Sequence, residues 1–245
     1  MKLSVIIPAL NEEESLPFVL GELPWSTLNQ VIVVDNGSQD RTAEVAAAYG
    51  ALVVREPQRG YGSACMAGVQ VASETDILIF LDADGSFDAN EIAALVDPIA
   101  RGEAELVLGS RLAGRREAGA MPLHGVFGNW LMAAVIRRLA GIPLTDLGPF
   151  RAIKRETLER LQMEERTYGW PSEMIIKAAQ RGVPIREVPV RYRRRQGGQW
   201  KVSGTWRGTL GASYRILKVT YKYARSRRRS WTGPDGATPR RGAKN

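Results

Sequence analysis

The 245-residue chain has one cysteine, Cys65, and one histidine, His124. A lone cysteine cannot close an intramolecular disulfide, which removes stapled secreted scaffolds, and a lone histidine leaves no His-based zinc site and no Cys/His cluster. A Ser/His/Asp hydrolase would have to use His124, and no serine sits in a G-x-S-x-G elbow. His124, beside Pro122 and Gly125, reads as a loop residue, and Cys65 as small core filling. Long apolar runs are missing too. A bilayer span asks for roughly 20 mostly apolar residues; the longest candidate, Val126 to Ile136, falls well short and contains Asn129. Glu12, Glu13 and Glu14 stand where a signal peptide would need its small-residue cleavage site. A cytoplasmic protein without a spanning helix is expected. There is no G-x-x-x-x-G-K-[ST] loop, so a P-loop is excluded. Arg59-Gly60-Tyr61-Gly62-Ser63-Ala64 follows the third expected strand rather than the first and lacks the final glycine of G-x-G-x-x-G, which disfavours a Rossmann dinucleotide site.

What is present, 44% hydrophobic and 24% charged residues, fits one ordinary globular domain with an appendage. The net charge of +8 is unevenly spread. Residues 1–180 hold 16 basic and 24 acidic groups, net −8, whereas residues 181–245 hold 18 and 2, net +16. An acidic body with a basic end points to a polyanionic partner for that end: nucleic acid, a phosphate-bearing substrate or an anionic membrane surface.

Strand-length apolar runs alternate with helical spacing through the first half. Leu3 to Pro8, Val31 to Asp35, Leu52 to Arg55, Ile77 to Asp82 and Leu106 to Leu108 read as strands, and Glu14 to Leu20, Thr42 to Tyr49, Ala64 to Ala72 and Asn90 to Ala100 as helices, with Ser38 or Asp40 and Asp88 as N-caps. Strands without polar alternation are buried on both faces, which predicts an α/β sheet covered by helices. In the second half, Val126 to Leu139, Arg155 to Leu161 and Ser172 to Arg181 read as helices; Phe150 to Lys154 and Ile185 to Tyr192 read as strands, the latter an edge or bulge because of Pro189. A last helix is expected from Thr205 to Ala224, followed by a tail of disordered composition.

Ligands of open α/β sheets gather at the carboxyl ends of strands, and three polar clusters fall at such ends: Pro8 to Glu12, Asp35 to Asp40, and Asp82 to Ser86. Asp82 closes the apolar run ILIFLDAD, where an unpaired carboxylate is costly. Two carboxylates at i and i+2 can hold a hard divalent ion and leave its other positions to phosphates and water; a capped strand-end turn is the plainer alternative. Asp35, closing VIVVD, could accept hydrogen bonds from a ribose or base, or cap the Asn36-Gly37 turn.

In order, SVIIPALNEEESL, VVDNGSQDRT, RGYGSACMAG, FLDADGS and GSRL resemble the family 2 glycosyltransferases, in particular the polyprenyl-phosphate sugar synthases of the dolichyl-phosphate mannosyltransferase-like group, from Leu3 to about Leu217. The resemblance implies a GT-A fold, a Rossmann-like mixed sheet of about seven or eight strands flanked by helices, in residues 1–204, then an amphipathic helix at 205–225 and a basic tail at 226–245. It implies a nucleotide-sugar donor of the UDP-glucose or GDP-mannose type, contacted by Pro8, Asn11, Glu12, Asp35, Gly60, Gly62 and Asp82; Mg²⁺ or Mn²⁺ on Asp82 and Asp84; and Arg111 beside the phosphates. Gly169-Trp170-Pro171-Ser172-Glu173 resembles the stretch bearing the family's inward acidic residue. Residues 195–201 resemble its R-x-x-G-x-S-K loop, with Trp200 in the usual serine position, so that Arg195 and Lys201 would bind the acceptor phosphate.

Departure of a nucleoside diphosphate needs its growing charge stabilised, work suited to a divalent ion with Arg111 and Lys201. The resemblance implies inversion. A hydroxyl acceptor would require a base such as Glu173 or Asp146; a phosphate monoester, with a second pKa near ~6, requires none but needs cations, which Arg193, Arg194, Arg195 and Lys201 supply. Trp206, Leu210, Tyr214, Leu217 and Tyr221 share one helical face flanked by basic residues. That face either lies in a membrane interface or packs on the domain. A polyprenyl phosphate acceptor would place the enzyme at the inner face of the membrane as a peripheral protein, possible membrane subunit included. Alternatives are a soluble hydroxyl acceptor and, from another class, a nucleic-acid-binding module using the basic end.

Overall fold

A computed structural model describes residues 1–198 and 216–223. Trp200, Lys201, Trp206, Leu210 and Tyr214, and the tail from 226 on, lie outside the described residues. Seven strands form one mixed sheet: β1 (Leu3–Ala9), β2 (Gln30–Asp35), β3 (Leu52–Arg55), β4 (Ile77–Phe80), β5 (Leu106–Ser110), β6 (Arg151–Lys154) and β7 (Ile185–Pro189), in the order β3-β2-β1-β4-β6-β5-β7. β6 runs antiparallel to β4 and β5, and the other pairs are parallel. β7 is an edge, where Pro189 removes no ladder bond from a further neighbour.

The strands are apolar on both faces because helices cover both. Along β1, Val5 and Ile7 face a core shared with α1 (Leu16–Glu22), α2 (Thr42–Ala48) and α4 (Ile92–Ala100). Ile6 faces the opposite core, built with α3 (Tyr61–Val71), α5 (Leu123–Ala140), α6 (Arg155–Leu161) and α7 (Trp170–Gln180). The chain leaves β1 for β2 on one side and returns for β4 on the other. The crevice where neighbouring connections diverge is therefore at the carboxyl ends of β1 and β4.

Boundaries shift for local reasons. β4 stops at Phe80, the last residue paired with β6, so Asp82 lies beyond the strand. α3 opens at Tyr61, taking the glycine segment into its first turn. α5 starts at Leu123 after Pro122 and ends where Gly141 turns left-handed at φ 70°. Residues 216–223 are helical, with Val219 and Tyr223 buried on the second core and Leu217 and Tyr221 exposed. Gln180 donates to the Tyr223 carbonyl at 2.7 Å, and the Tyr223 hydroxyl donates to Glu164 at 3.1 Å.

Candidate active site

A cavity of about 630 Å³ opens at the carboxyl ends of β1 and β4. It is lined by Pro8, Leu10, Glu12, Asn36, Arg59 and Gly60, by the charged residues Asp82, Asp84, Arg111 and Arg195, and by a largely apolar set, Gly128, Met132, Leu147, Pro149, Pro171 and Ile216.

Burial, and then the charge of Asp84, pushes the Asp82 carboxyl up to about 7. Among the described residues no lysine or arginine forms an ion pair with Asp82, although the Arg111 charge opposes the rise, and Arg195 stands 3.6 Å from Asp84 Oδ2. Asp84 Oδ1 accepts from the Ser86 amide at 2.9 Å and the Ser86 hydroxyl at 2.5 Å, so it caps the turn while its other oxygen faces the cavity. This donor set fits a divalent ion: two carboxylates supply hard oxygen ligands, and no third His, Cys, Asp or Glu is grouped with them among the described residues. An ion so held keeps most of its positions for water and phosphate, as Mg²⁺ and Mn²⁺ do.

Arg111, at the end of β5, is gripped by Asp146, with Nε at 2.9 Å from Oδ2 and Nη2 at 2.7 Å from Oδ1, while the Arg111 amide donates to Oδ2 at 2.6 Å. Asn129 accepts from Nη2 at 3.2 Å, and the guanidinium lies 5.3 Å from the Tyr192 ring centre. Burial opposes the Arg111 charge, but Asp146 more than offsets it and the pKa rises. Burial likewise works against the Asp146 carboxylate, and Arg111 holds it below the usual carboxyl value. Asp146 is thus a clamp that aims Arg111, and a weak proton acceptor.

Glu173 does not line the cavity. Its side chain is inaccessible; Oε1 accepts from the Glu164 amide at 2.9 Å, Oε2 from the Glu165 amide at 2.8 Å, and Lys177 pairs with it at 2.7 Å. The acidic residue is inward, as expected, but it anchors the 164–165 backbone and has no lone pair facing a substrate. Gly62 is also removed from the cavity wall. A Cβ there would sit 2.2 Å from the Glu165 carbonyl oxygen, and one at Gly60 (φ 146°) 2.2 Å from that of Arg166, so both glycines admit the same backbone segment. Gly60 in addition lines the cavity.

Asn11 and Asp35 sit beside the cavity, outside its lining. Asn11 Oδ1 accepts from the Gln39 amide at 2.7 Å, and Asp35 Oδ1 accepts from the Ser38 amide at 2.8 Å, joining the loops after β1 and β2. Asp35 thus caps the turn through Oδ1. Glu12 lines the cavity and is ion-paired with Arg195; Ser15 Oγ donates to it at 2.5 Å. Of the basic run, Arg195 alone lines the cavity. Arg193 forms a two-pronged pair with Glu22, both bonds 2.7 Å, and Arg194 donates to the Ala118 carbonyl at 2.8 Å. Arg193 is therefore held by the fold, while Arg194 stays exposed with its Nε bonded. Lys201 lies outside the described residues.

Four cavity residues carry no sequence signal of their own. Asn129 and Tyr61 line the wall with the amide Nδ2 and the hydroxyl unpartnered among the described residues. Asn36 ties three loop groups together, donating to the Glu56 and Gln58 carbonyls and accepting from the Gly60 amide. Arg59 adds a cation to the lining. Asn129 was separable in sequence only as the polar break in an apolar helix.

The sequence pattern of Glycosyl transferase family 2 matches residues 4–162. Over 217 residues the chain is 43% identical to an uncharacterised glycosyltransferase of Mycobacterium tuberculosis, covering 88% of this chain and 96% of that protein. It is 32% identical over 233 residues to the undecaprenyl-phosphate mannosyltransferase of Micrococcus luteus, covering 90% and 93%. Among solved structures it is similar to glucosyl-3-phosphoglycerate synthase from Mycobacterium tuberculosis in complex with Mn²⁺, UDP and glucosyl-3-phosphoglycerate, with a TM-score of 0.72, 25% identity, and coverage of 91% of this chain and 80% of that one.

Proposed function

The chain belongs to Glycosyl transferase family 2, and on that premise we propose that it transfers a hexose, with inversion, from a nucleotide sugar to polyprenyl phosphate at a membrane surface, and that the transfer depends on Mg²⁺ or Mn²⁺. Its seven-stranded mixed sheet with flanking helices is GT-A-like, as in the glucosyl-3-phosphoglycerate synthase structures. In this reading the donor's nucleoside occupies the part lined by Pro8, Leu10 and Asn36, and its diphosphate lies between Asp82, Asp84 and Arg111. Asp82 and Asp84 would hold the cation, which, when bound, neutralises charge on the leaving diphosphate. Arg111, held by Asp146 through Nε and Nη2 in a buried position, keeps its charge in place and needs no reorientation when the diphosphate charge develops. Arg195 would take the acceptor phosphate once released from Glu12.

The observation that carries the acceptor is the shortage of a base. Asp146 is locked to Arg111, Glu173 to two amides and Lys177, and Glu12 to Arg195 and Ser15; Asp82 and Asp84 are assigned to the cation. A hydroxyl acceptor would have to lose its proton to one of these, whereas a phosphate monoester arrives ionised. The apolar set of cavity residues, from Met132 to Ile216, suits an isoprenoid, and the similarity to an undecaprenyl-phosphate mannosyltransferase supports the same acceptor.

A soluble hydroxyl acceptor is the second reading, favoured by the similarity to glucosyl-3-phosphoglycerate synthase. Membership of a glycosyltransferase family favours both transferase readings over the nucleic-acid-binding alternative. Purified protein incubated with labelled UDP- or GDP-hexose, Mn²⁺ and a detergent-dispersed polyprenyl phosphate should yield a labelled product extractable into organic solvent. Label found only in water-soluble products of small hydroxyl acceptors would replace the first acceptor with the second.

A further inference from the structure

α5 is apolar on two faces, and only one of them is covered. Met132, Ala133 and Ile136 are buried on the second core, and Gly125, Gly128 and Asn129 line the cavity. On the other side Leu123, Phe127, Trp130 and Leu131 are exposed, at 87%, 62%, 51% and 41%. Spacings of four, three and one place these four on a single stripe at 3.6 residues per turn. Phe127 and Trp130 touch, with ring centres 6.0 Å apart, so the stripe carries a compact aromatic pair rather than scattered single side chains. Contiguous exposed apolar surface of this kind marks an interaction site.

The same outward face changes character in its last turn. Arg137 and Arg138 follow the stripe, both exposed, and neither joins an ion pair among the described residues. Cations there also suit the helix dipole, but that leaves the apolar turns before them unexplained. The helical segment 216–223 turns Leu217 and Lys218 outward, and its Ile216 lines the same cavity as Gly125, Gly128 and Asn129 of α5. Exposed apolar residues and cations outside any ion pair among the described residues thus share the outer face of the helix whose inner face lines the cavity. An acidic partner surface with an apolar interior is the complement, and α5 cannot serve as a span: no helix among the described residues is long and apolar enough to cross a membrane.

We propose that the outer face of α5, through Leu123, Phe127, Trp130 and Leu131 with Arg137 and Arg138, docks the enzyme on an anionic bilayer and sets the cavity mouth at the headgroup level. This deepens the polyprenyl-phosphate reading, on which it rests. α5 lies in the interface plane: its aromatic stripe enters the acyl boundary and the arginines meet lipid phosphates.

The test is co-sedimentation of the full chain with vesicles of phosphatidylcholine alone or mixed equally with phosphatidylglycerol. Wild type should pellet with the mixed vesicles. Phe127→Ser/Trp130→Ser and, independently, Arg137→Glu/Arg138→Glu should each weaken partitioning by about tenfold or more, with melting temperature and turnover of a short, water-soluble prenyl phosphate unchanged. Vesicle binding equal to wild type in both variants overturns the proposal. So does a switch from dimer to monomer in the serine variant without loss of vesicle binding, because the face would then belong to a second copy. Transfer to polyprenyl phosphate in detergent by a wild type that ignores vesicles removes the docking face and leaves the acceptor standing. Vesicle binding dependent on Phe127 and Trp130, with turnover of soluble acceptors only, keeps the face and removes the acceptor.

Discussion

Asp82 and Asp146 are both buried carboxyls, yet the fold treats them oppositely. Asp146 has a guanidinium on both oxygens, whereas Asp82 has a second carboxylate for a neighbour and is pushed up to about 7. A charge held at a cost to folding is the mark of a binding function. Asp82→Asn should therefore raise the melting temperature of the cation-free protein while lowering turnover by roughly 100-fold or more; paired thermal melts and initial rates check this, and unchanged turnover contradicts it. Asp146→Asn should do the reverse to stability. Removing one partner of a buried ion pair costs about 3 kcal/mol or more, measurable as a lower urea midpoint at neutral pH. Because the folded Asp146 carboxyl lies below its ordinary value, its contribution is present above the ordinary carboxyl range, near ~3.9, and disappears as pH falls through the lower folded value. The gap between wild type and variant should close over that acid window. At this scale the sequence marks Asp82 and Asp84 because they end an apolar run. It does not mark the Asp146 clamp, because the partners are 35 residues apart and nothing local says which carboxylate will meet Arg111.

At the scale of elements, α7 supplies the clearest separation of structure from chemistry. Glu173 sits in its first turn and reaches back to the 164–165 amides, and the carbonyls of Glu165 and Arg166 press against Gly62 and Gly60 at the opening of α3. One acidic side chain and two glycines thus hold a single backbone segment. Glu173→Gln should lower stability by about 2 kcal/mol, since Lys177 then keeps a buried charge without its partner, and leave turnover per folded molecule within about twofold of wild type, no proton transfer being lost. A steep fall in turnover at unchanged stability would restore Glu173 as a base. Gly62→Ala should destabilise by at least about 2 kcal/mol, because its Cβ meets a backbone oxygen that cannot swing aside; a chevron or urea melt reads this directly. The apolar runs of β1, β2 and β4, and the edge position of Pro189, were legible because period and composition report burial. Whether a glycine-rich opening cradles a ligand or a neighbouring loop was not legible, since both require the same missing Cβ. α5 shows the same limit: its periodicity announces a helix, but which apolar face stays uncovered depends on the packing of distant elements.

For the whole molecule, the sheet order sets the function in place. Reversal of the chain's path about β1 opens one crevice; β4 delivers two carboxylates to it, β5 delivers Arg111, and the segment after β7 delivers Arg195. Within the described part of the basic end, Arg193 and Arg195 are tied into the acidic body through Glu22 and Glu12, while Lys218 and Lys222 of segment 216–223 stay exposed. One cavity thus brings together charged residues and a largely apolar set of side chains. The central claim is that Asp82 and Asp84 grip a divalent ion shared with the donor's diphosphate. The direct measurement is an anomalous difference map from crystals grown with Mn²⁺ and UDP or GDP. The predicted result is one manganese peak within bonding distance of both carboxylates and in contact with the diphosphate. A nucleotide bound in the cavity with no metal at these two residues would contradict it.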